Sequence, residues 1–279
     1  MFDYPSPKMT LQRFGLRAKK SFGQNFLSDA HLATKLAALA PLASTVVEIG
    51  AGLGGLTALL LNRGHRVVAV ERDRELLPVL QQSFAPALST GQLTLLEADA
   101  KQLDYAALFG NAEKRVLMGN LPYQITGPLL QLTASLAPQL TSAIFMVQLE
   151  VAERLTAAPS TPQYGALTVY TQAAFHVERP FVVRRGAFYP QPGVDSAVVE
   201  LRPLEPPLAK ETPVFRQLVK QAFQQRRKTL RNAWQRAFPW NEAQMQACAE
   251  AAGISLSRRG ETLSVAQFAA MARATEPHA

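Results

Sequence analysis

Two short segments carry side chains whose type and order can do chemistry. The first is Gly50-Ala51-Gly52-Leu53-Gly54, entered from Val46-Val47-Glu48-Ile49. Glycines let the backbone turn sharply and approach a ligand closely. The next two apolar runs end in acids, Val67–Val70 in Glu71 and Leu93–Leu96 in Glu97 and Asp99. Open α/β sheets bind ligands at the carboxyl ends of their strands, where a carboxylate can accept from paired ribose hydroxyls. Glu71 therefore suits a ribose diol and Asp99 an adenine amino group. Each has a plainer reading, Glu71 as a strand-end surface acid and Asp99 as the cap of a turn before Gln102. The glycines alone suit NAD or FAD equally. Acids at consecutive strand ends favour S-adenosylmethionine.

The second segment is Gly119-Asn120-Leu121-Pro122-Tyr123. The exocyclic amine of adenine is a poor nucleophile, because its lone pair is delocalised into the ring. A catalyst must accept hydrogen bonds from that amine as the nitrogen becomes tetrahedral. Asn120 offers a side-chain carbonyl, and Pro122 frees the Leu121 main-chain carbonyl from ladder pairing. Tyr123 offers a flat face, and base–aromatic stacks contribute about 1–3 kcal/mol. The set places acceptors where positive charge develops. Alone, the tetrapeptide also reads as a strand-end turn with a core tyrosine. Phe188-Tyr189-Pro190-Gln191-Pro192 is stiff, and Phe188 is a candidate for the other face of a base sandwich.

The elements that must position these residues follow from periodicity. Strands are expected at Thr45–Ile49, Arg66–Glu71, Leu93–Glu97, Val116–Gly119 and Ala143–Val147. Helices are expected at Leu56–Asn62, Arg74–Ser83, Thr126–Leu136 and Leu149–Ala157. This alternation predicts an α/β fold, a Rossmann-like, mostly parallel sheet covered by helices on both faces. Phe175–Val183 and Ser196–Leu201 read as strands with no helix between them, an antiparallel pair closing one edge. Arg202-Pro203-Leu204-Glu205-Pro206-Pro207 cannot continue a central strand. The boundary is placed there, giving domains 1–203 and 204–279. The second is expected to be small and all-α, with helices at Pro213–Phe238, Asn241–Ala252 and Ser264–Arg273, Gly253 ending the second and Ser264 capping the third.

Composition bounds the setting. The 279 residues are 48% hydrophobic and 18% charged, as expected of a soluble protein with a filled core. Cys248 is the single cysteine, which excludes an internal disulfide, and no Cys/His spacing suits zinc. A reducing, cytoplasmic setting without a metal is the simplest expectation. The N-terminus lacks the apolar core of a signal peptide. Residues 116–149 carry no charge, but prolines, glutamines and Asn120 interrupt them, so they read as buried elements and not as a membrane span. Net charge is +8 and lies at the ends. Residues 1–20 carry five Lys/Arg against Asp3, and residues 204–279 carry eleven against six Glu. Basic ends on a near-neutral body suit a polyanion.

Together these motifs resemble the bacterial small-subunit (16S) ribosomal RNA adenine N6-dimethyltransferase family, over nearly the whole length. Phe22–Leu27 is similar to the family's N-terminal motif, which closes over the methionine end of the donor. Glu48–Gly52, Glu71, Asp99 and Asn120–Tyr123 are similar to its donor and acceptor motifs, Phe188–Val198 to its base-stacking motif, and Gln225–Asn232 to the basic helix of its small domain. Leu149 and Gly193 stand where the family usually has lysine, and Ala51 where it often has proline.

The resemblance implies S-adenosylmethionine at Asn25, Leu27, Gly50, Gly52, Glu71, Asp99 and Asn120. It implies catalysis at Asn120, Leu121, Pro122, Tyr123 and Phe188, and RNA contacts from Arg226, Arg227, Lys228 and Arg231. The implied reaction is dimethylation of two adjacent adenosines in the 3′-terminal hairpin loop of 16S rRNA, by a monomer acting on an immature small ribosomal subunit away from membranes. Two alternatives stay open: a large-subunit enzyme of the macrolide-resistance type, against which the Arg226–Asn232 string argues, and a binding factor in ribosome assembly.

Overall fold

The computed structural model describes residues 1–235 and 237–275. The strands are β1 (Phe26–Leu27), β2 (Thr45–Ile49), β3 (Arg66–Glu71), β4 (Leu93–Glu97), β5 (Arg115–Asn120), β6 (Ser142–Gln148), β7 (Phe175–Val183), β8 (Phe188–Tyr189) and β9 (Ser196–Pro203). Seven of them form one sheet in the order β4-β3-β2-β5-β6-β9-β7, and β1 pairs with β8 in a separate ribbon. β4, β3, β2, β5 and β6 run parallel, and β9 is antiparallel to β6. Every residue of β2 is buried. Val46, Val67, Val116, Ile144 and Val198 of five strands share one core with the helices Ala30–Ala38 and Gly55–Asn62. β-Branched residues suit this two-sided burial.

Chain order reverses between β2 and β5. A crevice at the carboxyl ends of the strands opens at such a switch point. The glycine loop follows β2 and Asn120 ends β5, so the two chemistry-bearing segments flank it. Gly119 is required there because any side chain would run into the Ile49 carbonyl oxygen.

The chain divides into two compact units, Met1–Ala152 with Glu178–Arg202, and Glu153–Val177 with Pro203–Ala279. The sequence reading places Glu153–Val177 in the first domain, whereas here it falls with Pro203–Ala279. Tyr164, Val169 and Ala173 share a core with Phe215, Trp234 and Phe268. Within this unit Tyr164 Oη also donates to the Leu263 carbonyl at 2.9 Å.

The expected helix Pro213–Phe238 is two helices, Pro213–Gln224 and Leu230–Trp234, and Arg236 within that span lies outside the described residues. The Leu230 and Arg231 amides are drawn off to the carbonyls of Arg258 and Leu256, at 2.8 and 3.0 Å. A continuous helix would have needed those donors itself. Helices at Pro7–Arg13, Ala30–Ala38 and Ala166–Ala174 appear where none was expected. The N-terminal basic segment is not a free arm, since Leu11 is buried against Leu53, Leu76 and Val79. Among the described residues no helix is long and apolar enough to cross a membrane.

Candidate active site

A cavity of about 290 Å³ opens in the first unit at the switch point. Asn25, Leu27, Gly50, Gly52, Glu71, Asp99 and Asn120 all line it, as do Leu121, Pro122 and Tyr123. The glycine loop meets it through residues that take left-handed backbone, with φ of 74° at Gly50, 58° at Gly52 and 82° at Gly54.

The loop's amides are largely spent within the protein. Gly50 and Ala51 donate to the Val70 carbonyl at 2.8 and 3.2 Å, and Gly52 donates to Glu71 Oε2 at 2.8 Å. Glu71 Oε1 accepts from the Arg72 and Asp73 amides, both at 2.8 Å. The expected ribose acceptor is thus also the latch of the glycine loop. Burial raises the Glu71 carboxyl above its ordinary range, against the pull of those three amides. Asp99 lines the cavity, and its Oδ1 accepts from the Lys101 amide at 3.0 Å to cap a 3₁₀ turn.

Gly50, Gly52 and Gly55 also satisfy a G-x-G-x-x-G dinucleotide spacing, so the glycines do not choose the ligand. Charge does. The carboxyl groups and basic side chains lining the cavity are Glu48, Glu71, Asp99 and Arg72. Arg72 is at 3.6 Å from Asp99. A pyrophosphate wants free amides and cations, and this lining offers three carboxyl groups and one guanidinium that is already engaged by Asp99.

Asn120 closes the cavity on the β5 side. Its Nδ2 donates to the Asn25 carbonyl at 2.8 Å, which fixes the amide's orientation. A carbonyl can only accept, so the nitrogen must face Asn25 and Oδ1 is left as an acceptor. Leu121 donates its amide to the Met146 carbonyl at 3.0 Å, and among the described residues its own carbonyl receives no hydrogen bond. Tyr123 is held through its hydroxyl, 3.1 Å from Ser196 Oγ. Two acceptors and an anchored aromatic therefore stand together.

The structure does not bring Phe188 to the cavity. It is 4% exposed, lies opposite Leu27 in the β1–β8 ribbon and packs in the sheet core. Alternation along β8 turns Tyr189 outward instead, 38% exposed.

The basic string is not a helix face either. Gln225–Lys228 is a turn. Arg226 donates to the Pro162 and Tyr164 carbonyls at 3.2 and 3.4 Å, and Arg231 pairs with Glu242. Arg227 and Lys228 are exposed and, among the described residues, have no ion-pair partner.

Sequence reasoning missed the latch that holds the N-terminal motif. Lys19 Nζ and Gln24 Nε2 both reach Asp73, at 2.7 Å each, and the Phe26 ring lies where a side chain at Gly52 would meet it. Asp73 is 3% exposed, and these donors hold its carboxyl below the ordinary range although burial works the other way. An acid two residues after Glu71 was the available signal. Among the described residues no cluster of three or more His, Cys, Asp or Glu is placed to hold a metal.

The profile of the family "Ribosomal RNA adenine dimethylase" matches residues 15–275. The chain belongs to this family. Members of the family are rRNA-modifying methyltransferases, and the mixed sheet with its flanking helices is the Rossmann-like methyltransferase architecture. Similar curated proteins include the ribosomal RNA small subunit methyltransferase A of Anaeromyxobacter sp. (strain K), 45% identical over 97% of this chain and 98% of that one. The protein of the same name from Geobacter metallireducens is 40% identical over 93% and 96%. Among solved structures, a dimethyladenosine transferase from Plasmodium falciparum superposes with a TM-score of 0.74 at 25% identity, covering 88% of this chain and 95% of that one. The 23S rRNA methyltransferase ErmE gives 0.65 at 25% identity, covering 90% and 99%.

Proposed function

We propose that this rRNA adenine dimethylase transfers methyl groups from S-adenosylmethionine to the N6 amines of two adjacent adenosines in the 3′-terminal hairpin loop of 16S rRNA, acting as a cytoplasmic monomer on an immature small subunit. One observation carries the reading: a cavity lined by three carboxylates and one arginine ends at the acceptor oxygen of Asn120. S-Adenosylmethionine supplies, when bound, an electrophilic methyl on a positively charged sulfur. The protein's own work is then to bind a cation and to orient an amine. Glu71 and Asp99 have lone pairs for ribose hydroxyls and an adenine amino group. Asn25, Leu27 and Gly50 wall the cavity.

Asn120 Oδ1 and the Leu121 carbonyl accept from the target amine and favour it as positive charge grows on nitrogen. Tyr123 offers a stacking face for a base splayed from a loop. The methylated amine sheds its proton to water, so no dedicated base is needed. Curated relatives at 37–45% identity carry the small-subunit name, which favours 16S over the large-subunit alternative.

Calorimetry with S-adenosylmethionine and NAD tests the donor assignment. The first binds and the second does not; the opposite result would overturn the reading.

A further inference from the structure

One carboxyl group of the cavity has no assigned role. Glu48 is the fourth residue of β2 and is 2% exposed. Its Oε2 accepts from Thr57 Oγ1 at 2.6 Å. Among the described residues no Lys, Arg or His pairs with it. The groups around it are uncharged or of the wrong sign. On β3 the facing charge is Glu71, and Arg72 and Asp99 engage each other at the rim, where the Arg72 side chain is 63% exposed. β5 contributes Met118 alongside and Asn120 beyond. The helix Ala30–Ala38 contributes Ala33 and Leu36, and the helix Gly55–Asn62 contributes Thr57. Lys19 is held away by Asp73 and Glu75.

A carboxylate so placed has no counter-charge in the empty cavity. Burial, reinforced by Glu71 and opposed by Thr57, pushes its carboxyl up to about 8. At neutral pH, with no cation beside it, it holds a proton. We propose that Glu48 is the residue by which the cavity tells the cationic methyl donor from its neutral spent form.

This inference rests on the donor reading above. S-Adenosylmethionine has one net positive charge. Once the methyl has left, with the carbon–sulfur electron pair staying on sulfur, S-adenosylhomocysteine has none. The two differ by one methyl and one charge, and a buried carboxylate reads charge. The donor's cation favours ionised Glu48, and the proton leaves to solvent. After transfer the sulfonium charge is gone, and ionised Glu48, with Glu71 facing it, regains its proton from solvent. The spent form is then held less tightly and gives way to fresh donor. The competing account makes Glu48 a strut that ties β2 to the following helix through Thr57. A strut has no preference between the two ligands.

Calorimetry of both ligands from pH 6 to 9, in two buffers of different ionisation enthalpy, separates the accounts. Below about pH 8 the donor's dissociation constant should fall by up to about tenfold per pH unit, with release of up to one proton. That of S-adenosylhomocysteine should change less steeply, because it carries only the linkage of Glu71, which both ligands share. In Glu48→Gln the donor's pH dependence should shrink to that of S-adenosylhomocysteine, leaving what Glu71 gives to both ligands, and the donor-to-product affinity ratio at pH 8.5 should drop by about tenfold or more. Parallel tightening of both ligands, pH-independent donor binding, or an unchanged ratio in Glu48→Gln would each overturn the proposal. If that variant does not fold, the wild-type proton count decides alone. Donor binding with no proton release would sink this inference and leave the donor reading standing, whereas no donor binding at any pH would sink both.

Discussion

Replacing Glu71 by Gln changes one atom and two kinds of bond. The wild-type carboxylate accepts from three amides, Gly52 at Oε2 and Arg72 with Asp73 at Oε1, all at 2.8 Å. A glutamine can accept through only one of those positions. Its oxygen should settle toward the two donors Arg72 and Asp73, which puts an NH₂ group against the Gly52 amide. One charge-assisted hydrogen bond is lost, about 1.5–3 kcal/mol. The remaining lone pair of Oε2, the one available to a ribose hydroxyl, is lost with it. At about 1.4 kcal/mol per tenfold, donor affinity should fall roughly 10- to 100-fold.

The loss should depend on pH. Burial raises the Glu71 carboxyl, so as pH falls wild type takes up a proton and its difference from the neutral amide narrows. Calorimetry on donor binding, paired with thermal unfolding, reads both effects. Unchanged donor affinity in a natively folded variant would refute the assignment of Glu71 and the latch argument together.

Asn120→Ala should lower methyl transfer by about 10²–10³-fold, since an acceptor is removed where charge develops, while circular dichroism and RNA binding stay near wild type. Neutralising Arg227 and Lys228 together should flatten the salt dependence of RNA binding by up to about 0.7 per lost contact without shifting the unfolding midpoint. Neutralising Arg226 should instead destabilise the unit that contains Pro162, Tyr164 and Glu261. The unliganded protein should lose stability as pH rises. Glu48 ionises near 4.5 when unfolded and at about 8 when folded, so its contribution is full below the first value and lost toward the second. Denaturant titrations should show a fall on the order of 3–4 kcal/mol across that window, flattened in Glu48→Gln. Parallel profiles would count against a neutral Glu48.

The sheet was legible because each parallel strand is a short apolar run bounded by turns, and because acids and glycines fall where such strands end. What was not legible depends on contacts between distant segments. Asn25 meets Asn120 across 95 residues, and nothing local announces it. Ala166–Ala174 contains Thr168, Val169 and Thr171, which read against a helix, yet burying Val169 and Ala173 beside Phe215 overrides that preference. Gln225–Thr229 holds no glycine or proline, so the break there comes only from the backbone donated to Leu256 and Arg258. Phe188 was expected at the site, but one step of strand alternation turns it into the core. The acids were read for their ribose and adenine roles, while Glu48, read only as part of the motif, stands beside them in the cavity.

If the acid-lined cavity and the Asn120 acceptor act together on adenine, transfer must be selective for small-subunit RNA. The most direct measurement offers purified protein and labelled S-adenosylmethionine to unmethylated small-subunit and large-subunit RNA in parallel, with products digested and identified by mass spectrometry. The account predicts N6,N6-dimethyladenosine at two adjacent positions of the small-subunit 3′-terminal hairpin, and its loss in Asn120→Ala. Label in large-subunit RNA alone, or equal transfer by the variant, would contradict it.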